Sequence, residues 1–300
     1  MSEALVWYYA YPLAIAAGFA CGYINTLAGS GSLITLPFFI SVMGLPANVA
    51  NGTNRIGILL QNSVATYSFH RLGRVDWRGG LWLAIPAILG SVLGAQIAVN
   101  LDELAMKRAI GGLMLVMLAV MLVRPQRWLQ GRPALYRAPN WERLAHVVTR
   151  ATRHGPEWQQ LSAASRAAWE YLTSWHTLRH LLIFFGIGIY GGFIQAGVGI
   201  FLLTGLVLDV GYDLVRANAI KVLITLCLTV SALGVFVSNS QVVWDIGLIV
   251  AIGNMAGAWA AAHMAAQRGA VFVHRLLIVV VIGSAAHLLG AFEAVARLLA

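Results

Sequence analysis

Residues 22–31 read GYINTLAGSG, and residues 192–199 read GFIQAGVG. Each stretch places an amide side chain, Asn25 or Gln195, shortly before two closely spaced glycines. Apolar residues flank both stretches, so each is expected to be a helix that breaks at its glycines, where the backbone turns freely. These two breaks decide the fold, because they divide the chain into two similar halves.

Further matches follow the two breaks in the same order, at an offset of about 167 residues. Ala50-Asn51 matches Ala217-Asn218, and residues 90–98 match residues 257–265. The ordered matches indicate an internal repeat. Each half would hold a broken or re-entrant helix pair and then three full spans. Whether the broken segment crosses the membrane twice or returns to its own side, each half crosses an odd number of times. The two repeats are therefore expected to be inverted in the membrane, as in many secondary transporters.

The composition is that of a membrane protein rather than a soluble one. Hydrophobic residues make up 59% of the chain and charged residues 10%, against roughly 25% charged in a soluble domain. This excludes an ordinary cytosolic enzyme, a disordered chain and a coiled coil. Spanning helices need about 20 apolar residues. Uncharged stretches lie at roughly 4–28, 32–47, 47–70, 79–100, 109–123, 181–195, 199–208, 217–238, 246–266 and 276–292. The sequence therefore predicts an all-α, polytopic transmembrane protein.

Residues 124–180 interrupt this pattern with nine arginines, five of the ten tryptophans and four prolines. Two amphipathic helices are expected there, over about 140–153 and 156–178. We interpret the segment as a basic, Trp-rich linker that lies on the cytoplasmic membrane surface. It joins a first transmembrane repeat, 1–123, to a second, 181–300. A regulatory or partner-binding role for the linker stays open.

The net charge of +9 first suggests a nucleic-acid partner, but the positions of the charges favour a membrane. With the linker inside, the inner loops carry fifteen of the twenty cations, and only Lys107, Arg108 and Arg297 lie outside. This bias predicts an integral protein of the bacterial inner membrane with both termini outside. The inner cations would meet anionic lipid headgroups. No nucleic-acid partner is expected.

The two remaining cations, Arg55 and Lys221, lie inside hydrophobic stretches. Each follows its expected helix start, near Ala47 or Asp213, by about eight residues, or about 12 Å of helix. Because the two helices would enter from opposite sides, both cations are expected near the midplane of the ~30 Å core. An ionisable residue there is a functional candidate. The alternative is that both long side chains snorkel to the interface. No acidic residue lies deep in any span, so the pattern favours a bound anion.

The glycine breaks suit the same ligand. A helix that restarts after a break presents free N–H groups and a partial positive charge, which bind anions. The alternatives are close helix packing for the glycines and interhelical hydrogen bonds for Asn25 and Gln195. The candidate substrate-binding residues are Asn25, Gly29, Ser30, Gly31, Asn51, Asn54, Arg55, Gln195, Gly197, Gly199, Asn218 and Lys221.

The motifs resemble those of the sulfite exporter TauE/SafE family. In the first half the resemblance rests on residues 17–19, 25–37, 44–46, 50–54 and 70–77, and in the second on 191–199 and 217–221. It covers nearly the whole chain apart from the linker. The resemblance implies an inverted-repeat carrier that moves sulfite or sulfur-containing organic anions, such as sulfonates, out of the cell.

The leading hypothesis is therefore a secondary transporter that exports a small sulfur-containing anion by alternating access around the cationic site. The alternative is a passive anion channel of the same architecture. A membrane-embedded enzyme would need a nucleophile with a base, a metal cluster or paired carboxylates, and the sequence has none of their motifs. No cofactor and no metal are expected. The oligomeric state stays open, a homo-oligomer included.

Overall fold

The structure, a computed structural model, describes residues 3–29, 31–123 and 175–264, and these ranges contain helices and no strands. In the first half, α1 spans Glu3–Ala28, α2 Ser32–Pro37, α3 Ala47–Arg71, α4 Trp77–Val99 and α5 Glu103–Val123. In the second half, α6 spans Trp175–Phe193, α7 Val198–Thr204, α8 Leu214–Ser238 and α9 Trp244–Met264. A π-helical turn extends α2 over Phe38–Val42, and another extends α7 over Gly205–Asp209.

The order of the helices repeats as the sequence predicts. α3 begins at Ala47 and α8 at Leu214, the same offset of 167 residues that relates the motifs, and both helices are 25 residues long. The short helices α2 and α7 each follow a glycine break and end in a π-helical turn. The repeat is thus visible in the helices as well as in the motifs. The inversion of one repeat relative to the other stays a prediction.

Three of the described helices, α4, α8 and α9, are long and apolar enough to cross a membrane. The prediction of an all-helical protein with helices able to span a membrane is confirmed for the described residues. The linker helix expected over 140–153, all but the last four residues of the one expected over 156–178, and the span expected at 276–292 lie outside the described residues. α6 begins at Trp175, inside the segment that we assigned to the linker. The remaining crossings and the location of the termini stay predictions.

An aspartate starts one helix of each half, α4 in the first and α8 in the second. The Asp76 carboxylate accepts a hydrogen bond from the Gly79 N–H at 3.1 Å, and Asp213 caps α8 in the same way. A side-chain oxygen at this position satisfies N–H groups that have no partner inside the helix. Tyr212 donates its hydroxyl to Asp76 at 2.6 Å. This bond ties the loop before α8 to the start of α4, one half to the other.

The first helix of each half packs against the other half, through glycines. A methyl group added at Gly22 of α1 would lie 2.1 Å from the carbonyl oxygen of Asn254 on α9. One added at Gly192 of α6 would lie 2.0 Å from the carbonyl oxygen of Ser91 on α4. Small residues let helix backbones approach this closely in membranes. The crossed packing of α1 on α9 and α6 on α4 brings the two glycine breaks to the middle of the molecule.

Gly188 tests this packing. Its added methyl group would lie 2.3 Å from the carbonyl oxygen of Ala87, whereas one at Gly186, two residues earlier on the same helix, would meet nothing within 4 Å. We expect Gly188→Val to destabilise the protein by about 1–3 kcal/mol, because α4 and α6 must separate to admit the side chain. Thermal unfolding in detergent measures this, with Gly186→Val as the matched control. Equal melting temperatures for the two variants would contradict the close contact.

Candidate functional site

The two glycine breaks touch each other. Gly29 and Gly197 both adopt a left-handed backbone conformation with φ of 75°, which favours glycine. A methyl group added at Gly29 would lie 2.2 Å from the Cα atom of Gly199, so no side chain fits between the two backbones. The close packing expected as the alternative role of the glycines is therefore present. Of the predicted site residues, Ser30 lies outside the described part of the chain.

Arg55 reaches from α3 to the end of α6. Its side chain is fully buried. Nη2 donates to the Gly192 carbonyl at 2.5 Å, and Nη1 donates to the Gly191 carbonyl at 3.2 Å and to Oε1 of Gln195 at 3.4 Å. The guanidinium carbon also lies 4.6 Å from the centre of the Phe236 ring. Carbonyls in the last turn of a helix have no partner within the helix, and Arg55 supplies one for the second half.

Lys221 does the same for the first half. It extends from α8, and its side chain is 1% exposed. Nζ donates to the carbonyls of Asn25 at 3.1 Å and Thr26 at 2.7 Å, both in the last turn of α1. A methyl group added at Gly199 would lie 3.2 Å from Cδ of Lys221, so the side chain passes along the second break. Each cation therefore caps the broken helix of the opposite half.

This crossed arrangement explains how two buried cations are tolerated. A helix C-terminus carries roughly half a negative charge, and a hydrogen bond to a charged group contributes about 1.5–3 kcal/mol. Within the described ranges, the ion pairs of the carboxylates involve Glu103, Asp209 and Asp213 and reach neither Arg55 nor Lys221. Both cations are buried, which argues against snorkelling to the interface. Their charge is only partly compensated, and an anion would complete the compensation.

Two of the predicted amides act as structural ties between elements. Nδ2 of Asn51 donates to the Phe193 carbonyl at 2.8 Å, so it also caps α6. Nε2 of Gln195 donates to the Thr229 hydroxyl. The hydrogen bond to another helix that was the alternative role of Gln195 is therefore present, whereas the side chain of Asn25 bonds within its own break. These two residues hold the broken segment of the second half against α3 and α8.

The amides of the first half lie around the other break. Oδ1 of Asn25 accepts from the Gly31 N–H at 3.4 Å. Oδ1 of Asn54 accepts from the Thr35 hydroxyl at 2.6 Å, which ties α3 to α2. The Thr35 hydroxyl in turn lies 3.8 Å from the sulfur of Cys21. A polar row thus lines the first break from α1 to α3.

Several buried polar atoms of the predicted site have no partner among the described residues. They are Oδ1 of Asn51, Nδ2 of Asn54, Nε of Arg55 and both side-chain polar atoms of Asn218. Buried polar groups are nearly always hydrogen-bonded to protein, water or ligand. The site therefore offers amide and guanidinium N–H groups beside two cations, which is a donor set that suits an oxyanion.

The structure adds partners that the sequence analysis missed. The carbonyls of Gly191, Gly192 and Thr26 leave no trace in a sequence, because every residue carries one. Phe236 could have been singled out from the sequence, because the internal repeat places Phe69 at the matching position of the first half. The helices that start after the breaks, which the sequence analysis expected to attract an anion, are also shorter than their uncharged stretches suggest. Because α2 has six residues and α7 seven, their helix dipoles are small.

Comparison with known proteins agrees with the fold. The sequence model of the family described as Sulfite exporter TauE/SafE matches residues 14–288. A probable membrane transporter protein, ORF9, of Sinorhizobium sp is 26% identical over 273 residues, which are 91% of this chain and 90% of that protein. A probable membrane transporter protein of Haemophilus influenzae is 23% identical, over 87% of this chain and 88% of its own. The corresponding values for the probable membrane transporter protein YfcA of Escherichia coli K12 are 22%, 86% and 82%. No solved structure shows significant similarity.

The contact between the breaks is testable at Gly29. Gly29 and Gly44 both have positive φ, but an added methyl group would meet Gly199 at the first position and nothing within 4 Å at the second. We expect Gly44→Ala to cost about 1–2 kcal/mol, the penalty of the left-handed conformation alone. Gly29→Ala should cost distinctly more, because it also forces the breaks apart. Thermal unfolding in detergent compares the two variants, and equal losses would contradict the contact.

Proposed function

Because the chain belongs to the sulfite exporter TauE/SafE family of membrane transporters, we propose that it exports a small sulfur-containing anion, either sulfite or an organosulfonate. The proposed mechanism is secondary transport by alternating access. The proposed substrate site lies at the meeting point of the two glycine breaks, and its main attractive groups are Arg55 and Lys221.

One observation carries the proposal: two fully desolvated cations from opposite halves, with no carboxylate paired to either among the described residues. A buried charge is costly unless it is compensated. The carbonyls of α1 and α6 compensate part of it. A monovalent or divalent oxyanion supplies the remainder and accepts hydrogen bonds from unpaired N–H groups such as Nε of Arg55. A metal cation would meet two positive charges instead.

The geometry also supports a carrier over an open pore. The backbones of Gly29 and Gly199 are in contact, so nothing passes between them in this conformation. Each cation is borne by one half and bound to the broken helix of the other. A movement of one half against the other therefore changes both sets of contacts together. This linkage is what alternating access requires, because the site must open to one side as it closes to the other.

The charge distribution supports a location in the bacterial inner membrane. The surplus of cations in the linker and in the loops on its side favours a cytoplasmic location for these segments and an outer location for both termini. An exporter in this orientation takes its anion from the cytoplasm, where sulfite would otherwise accumulate. Proteolysis of right-side-out and inside-out vesicles checks the orientation, because the arginine-rich linker offers trypsin sites on one side only.

The direct test is transport by the purified protein in liposomes. We expect uptake of sulfite or of a sulfonate, and we expect Arg55→Gln and Lys221→Gln each to lower it at least about tenfold, because each loses a hydrogen-bonded charge worth about 1.5–3 kcal/mol. Exposed cations provide the matched controls: Lys107→Gln and Arg216→Gln remove a charge of the same sign at the surface and should transport normally.

Gel filtration and thermal unfolding must accompany these variants, since both cations also cap helices. Arg55→Lys and Lys221→Arg keep the charge and should retain part of the activity. If the glutamine variants fold and transport as well as the native protein, the site is placed wrongly.

Carrier and channel differ in their exchange behaviour. A carrier that binds its anion between two closed conformations should show saturable flux, and anion loaded on the far side should accelerate it. We expect both effects in liposomes preloaded with unlabelled sulfite, because the touching backbones of Gly29 and Gly199 close the space between the two breaks in this conformation. Electrical recording in planar bilayers is the second measurement. Single-channel currents, or flux that never saturates, would replace the carrier by a channel.

A further inference from the structure

A second group of buried polar side chains lies where α1, α3 and α9 meet, beside Lys221. Gln61 of α3 and Asn254 of α9 are fully buried. The side-chain nitrogen and oxygen of both residues have no hydrogen-bond partner in the described part of the chain. The hydroxyl of Thr26 on α1 is also buried and has no hydrogen-bond partner among the described residues. None of the three belongs to the set of site residues predicted from the sequence.

The packing brings these three residues together. The side-chain nitrogen of Asn254 lies over Gly57, where an added methyl group would come within 2.4 Å of it. Gln61 follows Gly57 by one turn on the same face of α3. One turn further, Ala65 packs in the same cluster as Ala258, the residue one turn after Asn254. Gln61 therefore lies on the face of α3 that carries Gly57 and Ala65, one turn from the contact with Asn254.

The third member comes from α1. Gly22 packs on the backbone of Asn254, and Thr26 lies one turn beyond Gly22 on the same face. The Thr26 carbonyl accepts the hydrogen bond from Lys221 at 2.7 Å. The group is thus adjacent to one of the two central cations. Nδ2 of Asn62 and the Thr66 hydroxyl, further along α3, are also buried and have no hydrogen-bond partner among the described residues.

The matching junction of the other half, between α4, α6 and α8, is built differently. At the offset of 167 residues, Leu228 replaces Gln61 and Ala87 replaces Asn254. Both are fully buried members of one hydrophobic cluster. The polar side chains of this junction are satisfied: Ser91 bonds to the Ser231 hydroxyl at 2.5 Å and to the Leu228 carbonyl at 3.2 Å. One repeat therefore shows that apolar residues fit where the other holds unpaired amides.

An amide without a hydrogen-bond partner in a protein interior is destabilising. Gln61 and Asn254 have no partner among the described residues, and the matched positions of the other junction hold no amide, which points to a ligand. The Lys221 ammonium, bound to the Thr26 carbonyl, disfavours a metal cation at this place. Amide N–H and hydroxyl donors beside an ammonium suit a small anion that still carries part of its hydration shell.

We propose that the junction of α1, α3 and α9 is a polar subsite that takes the hydrated anion between the central cations and the C-terminal end of α3, whereas the junction of α4, α6 and α8 is a dry barrier. Gln61, Asn254 and Thr26 line this subsite. The proposal rests on the proposed function, because the anion is the one that Arg55 and Lys221 hold. It also makes that site asymmetric, because the junction of α1, α3 and α9 on one side of it is polar and the matching junction of α4, α6 and α8 is apolar.

Cysteine labelling tests the hydration of the two junctions with matched positions. Single cysteines replace Gln61 and Asn254, and their repeat-related controls replace Leu228 and Ala87. The background is Cys21→Ala with Cys227→Ala, or the native chain with its own labelling subtracted if that background does not fold. A thiol reacts as the hydrated thiolate. We therefore expect a membrane-impermeant methanethiosulfonate reagent, added from both sides, to label Gln61→Cys and Asn254→Cys about tenfold faster than Leu228→Cys and Ala87→Cys. Equal rates, or faster labelling at the controls, would overturn the subsite.

A second arm makes the polar junction resemble the dry one. Gln61→Leu and Asn254→Ala, singly and together, remove unpartnered polar groups, so we expect the melting temperature to stay the same or rise. Transport of sulfite or sulfonate should fall about tenfold, because the anion loses its hydrogen-bonding partners on this route. Leu228→Met is the conservative control in the dry junction and should transport normally. Unchanged transport in Gln61→Leu/Asn254→Ala, or a lowered melting temperature, would overturn the proposal.

The two proposals fail in different ways. If the native protein moves neither sulfite nor a sulfonate, the proposed function fails, while labelling and melting temperatures still decide whether the junction is hydrated. If the native protein transports but the four labelling positions react alike, the subsite is wrong and the central site stands.

Discussion

The crossed capping of two broken helices is the interaction on which the rest of the structure depends. Arg55 of the first half bonds to the last turn of α6, and Lys221 of the second half bonds to the last turn of α1. Carbonyls at a helix end buried away from water need partners, and a buried cation needs negative charge around it. The cation supplies the hydrogen bonds that the carbonyls need, and the carbonyls supply the negative partial charge that the cation needs. Neither half supplies both members, so the two halves stabilise their breaks only when they are packed together.

The glycines make this exchange geometrically possible. α1 lies on α9 and α6 lies on α4 at distances that only a hydrogen atom at Cα permits. The same close approach lets the backbones of Gly29 and Gly199 touch, so the cations of both halves reach the opposite break. Packing and electrostatics are therefore coupled in this protein. A shift of one half would change the distance between the breaks and the partners of both cations at once, as the proposed alternating access requires.

Some parts of the site were readable from the sequence and others were not. The glycine breaks, the helix starts near Ala47 and Asp213 and the unusual position of Arg55 and Lys221 within hydrophobic stretches followed from spacing and composition, and the structure buries both cations. Their position at the membrane midplane stays a prediction. The partners of the cations did not follow, because carbonyl groups are the same in every residue. Gln61 and Asn254 were overlooked for a related reason: an isolated amide in a helix shows its burial only when the neighbouring helices are in place.

The sequence by itself determined that this is a helical membrane protein made of two related halves, with a pair of cations where the composition allows none. These are properties of single segments and of their order along the chain. Only the tertiary structure decided which ends those cations cap, that the two breaks are in contact, and that one of the two matching junctions is polar while the other is apolar. The physical reason is that each of these features joins residues more than a hundred positions apart, and such pairs are set by the packing of whole helices.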